Sequence, residues 1–294
     1  MLRITLGLCL CVAGPLLAQT SDEKKATIRF LTSLQQADGG FIAAPQDPKV
    51  DAAPRSSLRA TSAAVRSIKY LGGETPHGVK ALAFVKTCYH TDSGAFSDTP
   101  GGKEDVNVTA VGMMALAELQ KDPPLEKSVA YLVKNAKTFE ERRLAVAGME
   151  AAKKFATEVK EWLAEVEKTK NPDGTFGKED GKARDTGGIA AMILRSGRTL
   201  EAEQRKHILS TLRAGQRPDG GFGKEGEKNS DPETTYRVMR AFYLLGEKPR
   251  ESDNLRSYLK SWRNADGGYG VGPRKPSNVS GTYYAVTVLR WLSN

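Results

Sequence analysis

A short glycine-aromatic motif that returns at near-regular intervals constrains this chain more than any other feature. It reads Ala37-Asp38-Gly39-Gly40-Phe41, then Asp92-Ser93-Gly94-Ala95-Phe96, then Pro172-Asp173-Gly174-Thr175-Phe176-Gly177. It returns as Pro218-Asp219-Gly220-Gly221-Phe222-Gly223 and Ala265-Asp266-Gly267-Gly268-Tyr269-Gly270. The aromatic positions 41, 96, 176, 222 and 269 lie 55, 80, 46 and 47 residues apart. The long interval predicts a sixth, degenerate copy near Phe139, where the Asp-Gly pair is missing. Recurrence at such a period marks a repeat architecture. The motif has the chemistry of a tight turn: Gly permits positive φ, Asp bonds back to its own backbone, and the ring anchors the turn on a helix.

Charged amphipathic segments precede the turns, at residues 22–36, 77–89, 125–135, 157–170, 200–214 and 253–263. Segments richer in small and apolar residues follow them, at 57–71, 107–119, 141–153, 186–195, 232–245 and 279–292. Both sets have helical periodicity; Leu255, Tyr258, Leu259 and Trp262 form one stripe. No segment alternates as a strand does. The expectation is an all-α domain of six helix pairs, charged helices outside and small-residue helices inside. The pairs either close into a double ring or stack as an open solenoid, since both bury a continuous core.

The first residues read as a leader: Arg3, an apolar run from 4 to 17, and the small Ala18 before Gln19. That is the layout of a secretory signal peptide, and the run is too short to span a bilayer comfortably. The expectation is a cleaved segment 1–18, a single domain 19–294, a secreted or periplasmic/cell-envelope location, and no transmembrane segment after cleavage. Cleavage removes Cys9 and Cys11, leaving Cys88 without a disulfide partner and, on an outer apolar stripe, expected to be buried. The net charge of +9 raises the question of nucleic acid. Basic residues are interleaved with acids, as in Glu158-Val159-Lys160-Glu161, so a solvated mixed surface is expected and no nucleic-acid partner.

The repeats resemble those of the prenyltransferase and squalene-cyclase superfamily, nearest to the β subunits of protein prenyltransferases. The resemblance covers nearly all of residues 22–294. It rests on the run from Arg217 to Gly223 followed by Asp231 and Tyr236, and the run from Asn264 to Gly270 followed by Thr282-Tyr283-Tyr284. It implies an α/α toroid: six helix pairs in an inner and an outer ring. It also implies zinc held by an Asp, a Cys two residues later and a distant His, making a substrate thiol nucleophilic. Here those positions fall on Asp231, Glu233 and Gly281, so two ligands are replaced. The expectation is no metal cofactor, with Asp231 and Glu233 the remaining candidates for a rebuilt site. The family's His-Gly-Gly diphosphate grip corresponds to Thr186-Gly187-Gly188, and Lys228 matches a basic position. The D-x-D-D motif of squalene cyclases is missing, and catalytic residues are unassigned.

If the inner helices are parallel, their N-termini gather Asp105, Glu140, Glu141, Asp185, Asp231 and Glu233 at one mouth, as caps or as an acidic rim that binds a ligand. The inner segments carry small residues, among them Ala63, Ala147, Gly188 and Ala191, which allow close helix approach or an open lumen. Tyr236, Phe242, Tyr283 and Tyr284 are expected along one side of that lumen, and the three tryptophans between helices. Two functions follow. One is a catalytically degenerate toroid binding an unknown protein or a small apolar ligand through cavity and rim. The other is a prenyltransferase β-like enzyme using Asp231 and Glu233.

Overall fold

Every one of the twelve expected segments forms an α-helix. The computed structural model describes residues 19–46, 55–120 and 123–293; the expected leader, residues 1–18, lies outside them. The outer helices are α1 (Ser21–Ser33), α3 (Gly78–Thr87), α5 (Glu126–Asn135), α7 (Val159–Glu167), α9 (Ala202–Ala214) and α11 (Ser252–Lys260). The inner helices are α2 (Leu58–Tyr70), α4 (Val106–Leu119), α6 (Phe139–Ala152), α8 (Lys182–Arg195), α10 (Pro232–Leu244) and α12 (Val279–Ser293). Among the described residues there are isolated β-bridges at the turns but no strand. Each inner helix packs on the next, and α12 packs on α2, so the ring is closed.

The turns explain the closure. In four of the five intact copies an Asp side chain folds back: Asp38, Asp219 and Asp266 each accept from the amide two residues on, at 2.9 Å, and Asp173 does so at 3.1 Å, while in the second copy Ser93 Oγ accepts from Ala95 N at 3.2 Å. The next glycine has positive φ, from +77° at Gly94 to +88° at Gly39 and Gly267. It also touches the outer helix of the following repeat. A Cβ at Gly39 would lie 2.3 Å from the Lys80 backbone in α3, and one at Gly220 2.1 Å from Leu255 N in α11. At Gly267 it would meet the Ala26 backbone of α1 at 2.7 Å, so the last repeat meets the first through the contact that joins the others.

Behind the glycine the rings of Phe41, Phe96, Phe176, Phe222 and Tyr269 are buried. Their amides donate to threonine hydroxyls near the start of the following inner helix, Thr61, Thr109, Thr186, Thr235 and Thr282, at 2.9–3.0 Å. A buried amide needs such an acceptor. The degenerate third copy is different. Thr138 and Glu141 form a capping box that starts α6 directly at Phe139, with no Asp-Gly turn.

Candidate functional site

The six inner helices enclose a cavity of about 310 Å³, and every one of them contributes to its wall. Small residues have two jobs here. Gly187 meets the Val238 backbone, 3.2 Å from its would-be Cβ, and Gly148 meets Ala110 at 3.0 Å, drawing helices together. Ala63, Ala147, Gly188 and Ala191 face the lumen and keep it open.

The wall is cationic. Arg59, Arg66, Arg143, Arg195, Arg237 and Arg240 line it with a single carboxylate, Glu233. The mouth at the inner-helix N-termini is charge-matched. Glu140 accepts from Arg237 at 2.8 Å and Arg143 at 2.9 Å, and Glu233 accepts from Arg237 at 2.8 Å and lies 3.5 Å from Arg184. Asp105 pairs with Arg59 at 3.3 Å and Asp185 with Arg184 at 3.7 Å. Burial pushes the Glu140 carboxyl up, but Arg143 and Arg237 outweigh it and hold the group below its usual range. The expected rim carboxylates are therefore present without presenting an acidic field: the arginines cancel them. Asp231, Asp105 and the Thr138–Glu141 pair act as helix caps.

Of the sequence candidates, Glu233, Tyr236, Tyr283 and Tyr284 line the cavity; Asp185, Asp231 and Lys228 do not. Lys228 is exposed in the loop before α10. Phe242 packs against Phe222 in the core rather than facing the lumen. Trp162 and Trp262 are buried between helices, and Trp291 stacks on Tyr236 and Tyr243 with centroids 5.4 Å away. Cys88 is fully buried.

The residues do not fit the family's zinc ion. One Asp231 oxygen caps Thr234 N at 2.9 Å, and Glu233 is held by two guanidiniums, which occupy the place of a cation. A side chain at Gly281 would put its Cβ 2.2 Å from the Gly270 carbonyl oxygen, so the backbone here is built around the lack of a histidine. Among the described residues, Glu179, Asp180 and Glu225 form the one carboxylate cluster of metal-binding size; it is exposed, and Asp180 already accepts from Gly226 N. His90 lies 3.0 Å from Ser97 Oγ and 3.7 Å from Glu104, a serine–histidine–carboxylate row. Ser97 is fully buried and donates to the Thr99 carbonyl at 2.7 Å, so no substrate reaches it.

Far from the mouth, aromatic rings and arginines interleave. Arg66 lies over Tyr283 at 5.2 Å, and Arg240 over Tyr236 at 4.8 Å and Trp291 at 4.7 Å. The Tyr236 and Tyr283 hydroxyls share a hydrogen bond of 2.9 Å, and Arg240 donates to Tyr236. The arginines were the part of this wall that sequence reasoning missed. Their signal was a charge recurring on otherwise small, apolar inner segments, and buried charge is informative.

A sequence model of the prenyltransferase α/α-toroid domain matches residues 2–151 and again 142–294. No curated protein matches the chain by sequence. The type II terpene cyclase MstE from Scytonema superposes with a TM-score of 0.64 at 12% identity, covering 93% of this chain and 96% of that one. The same cyclase, as a variant, has been solved with its substrate geranylgeranyl dihydroxybenzoate. The ent-copalyl diphosphate synthase from Streptomyces platensis gives a TM-score of 0.50 at 14% identity, over 80% of this chain and 50% of that one. These likenesses concern the fold.

Proposed function

This chain belongs to the prenyltransferase α/α-toroid family, and from that premise we propose that it is a ligand-binding member, exported from the cytoplasm, that holds a small molecule in its central cavity without the family's transferase or cyclase chemistry. The observation that carries this reading is the cavity: about 310 Å³, reached by all six inner helices, walled by Ala, Met and Tyr with arginines. That volume sits at the lower end of the ~300–1,000 Å³ typical of small-molecule pockets. The Scytonema cyclase holds its geranylgeranyl dihydroxybenzoate within the same fold, which supports a ligand rather than a purely structural ring.

Against catalysis stand three features. The carboxylate in the wall, Glu233, is ion-paired and unsuited to donate a proton to an alkene. The D-x-D-D motif that supplies such a proton in the squalene-cyclase branch is missing. The positions of the zinc Cys and His hold Glu233 and Gly281. An Asp231/Glu233 transferase is therefore the less supported alternative. The leader-like residues 1–18 support export.

The test is native mass spectrometry of the chain purified from its own host without chelator, beside Ala147→Trp and Ala191→Trp, which place an indole in the lumen. A small organic adduct on the unmodified chain, lost in both variants, is the expected result. A bare chain, or an adduct that the variants retain, overturns the reading. Stoichiometric zinc together with prenyl transfer overturns it in favour of the enzyme.

A further inference from the structure

The cavity's two ends differ in a way that identifies the chemistry of what it holds. At the mouth each arginine faces a carboxylate, and deeper in the wall Arg195 lies 3.4 Å from Glu150. Arg66 and Arg240 have no carboxylate within ion-pair distance among the described residues. They occupy equivalent positions in α2 and α10, so they sit at similar depth in the ring. Arg66 is half-buried in the cavity wall, and its polar contacts are Tyr70 Oη at 3.1 Å and the weak acceptor Met114 Sδ at 3.4 Å. Arg240 donates to Tyr236 Oη.

Ring faces take the guanidinium faces, which offsets part of the cost of enclosing charge. The in-plane N–H donors are a separate matter, and most of them have no protein acceptor. The tyrosines add to this excess. Tyr236 and Tyr283 carry two hydroxyl protons between them, and their mutual bond uses one. Whichever donates, a phenolic proton is left for another acceptor, and Tyr236 already accepts from Arg240. Two guanidiniums and a spare phenol thus converge as donors, in a region where a buried charge without a partner is costly. Next to them the wall is apolar: Ala63, Met114, Leu144, Ala147 and Met192.

We propose that this end of the cavity is an oxyanion site, in which Arg66 and Arg240 bind the carboxylate of a small apolar acid whose body lies against Met114, Leu144 and Met192. Planar, bidentate guanidinium donors suit a carboxylate, and the apolar wall excludes a bare inorganic anion as the best occupant. The site rests on the ligand-binding reading above and adds the class of ligand. It places the anion away from the mouth, where the rim arginines are already neutralised.

The experiment compares octanoate with octanol by isothermal titration of the full mature chain at fixed ionic strength, with inorganic phosphate as a third probe. Octanoate is expected to bind about 10–100-fold more tightly than octanol, the range for charge-assisted hydrogen bonds. Arg66→Gln and Arg240→Gln each remove most of that preference, and Arg66→Lys keeps part of it. Circular dichroism confirms that the variants fold. Should Arg66→Gln fail to fold, the octanoate–octanol comparison on the unmodified chain and Arg240→Gln decide the matter. Equal binding of octanoate and octanol overturns the oxyanion site while leaving the cavity reading intact. Phosphate binding as tightly as octanoate overturns the apolar-acid assignment, and so does binding of neither eight-carbon probe.

Discussion

Replacing Gly267 by alanine tests whether the ring is closed in solution. Two costs are separable from the structure. The backbone at Gly267 has φ +88°, in the left-handed region, where an L-residue costs about 1–2 kcal/mol. A Cβ there would also stand 2.7 Å from the Ala26 backbone of α1, and forced overpacking of this kind costs about 1–3 kcal/mol. The expected loss is about 2–5 kcal/mol. Gly246 is the control: φ is +66° and nothing lies within 4 Å of its would-be Cβ, so Gly246→Ala carries the backbone cost alone, about 1–2 kcal/mol. Gly39→Ala, with a Cβ 2.3 Å from the α3 backbone, reports a joint inside the chain and is expected to match or exceed Gly267→Ala. Urea unfolding of the three variants gives the comparison through midpoints at constant slope. If Gly267→Ala costs no more than Gly246→Ala while Gly39→Ala costs more, the first and last repeats do not meet and the closure argument is wrong.

Thr235→Val removes the acceptor for the buried Phe222 amide, 3.0 Å away, and is expected to cost about 1–3 kcal/mol. Thr287→Val is its counterpart: Thr287 is fully buried and its hydroxyl has no partner, so that change is expected to be neutral or stabilising, and equal losses would refute the distinction. Burial pushes Tyr284 and Tyr269 up to about 12, and Tyr236 is raised as well. Because the folded values are raised, the stability these groups confer is complete below the unfolded value near 10 and is lost as pH climbs through the folded values. Ultraviolet titration should show them ionising only with alkaline unfolding, and their tyrosinate signal near pH 10 with the helices intact would contradict this. Burial, aided by Asp98, pushes the Cys88 thiol up to about 12. A chain lacking residues 1–18, in which Cys88 is the one cysteine, should therefore resist iodoacetamide at pH 8 until unfolded, and rapid native alkylation would show the site to be open.

The twelve helices were legible because their punctuation is local. An Asp side chain, a left-handed Gly and a buried ring act within a few residues, so the turns at 38–41 and 219–222 announce themselves in the sequence. The burial of Cys88 followed from helical periodicity in the same way. Closure was legible only through the resemblance, since the contact between Gly267 and Ala26 spans most of the chain. The lumen tyrosines were found, yet the charge of the site was misjudged. The resembling family's zinc positions, and then the helix N-termini, drew attention to Asp231 and Glu233, and those acids serve as a cap and as an arginine partner. Arg66, Arg143, Arg195, Arg237 and Arg240 come from four different helices, and nothing local marks them as neighbours before the ring is assembled.

The third turn, where a capping box replaces the glycine joint, gives the ring two unlike seams. At the termini the covalent chain is broken, but the Gly267–α1 contact is made; between the third and fourth repeats the chain is continuous, but no turn glycine reaches α7. In energetic order the ring therefore begins with the fourth repeat, runs through the termini and ends with the third. A circular permutant joining the present ends through a short linker and opening the loop at residues 153–158 would cut where the least is lost. The amides flanking that loop are where hydrogen exchange should first detect the ring breathing.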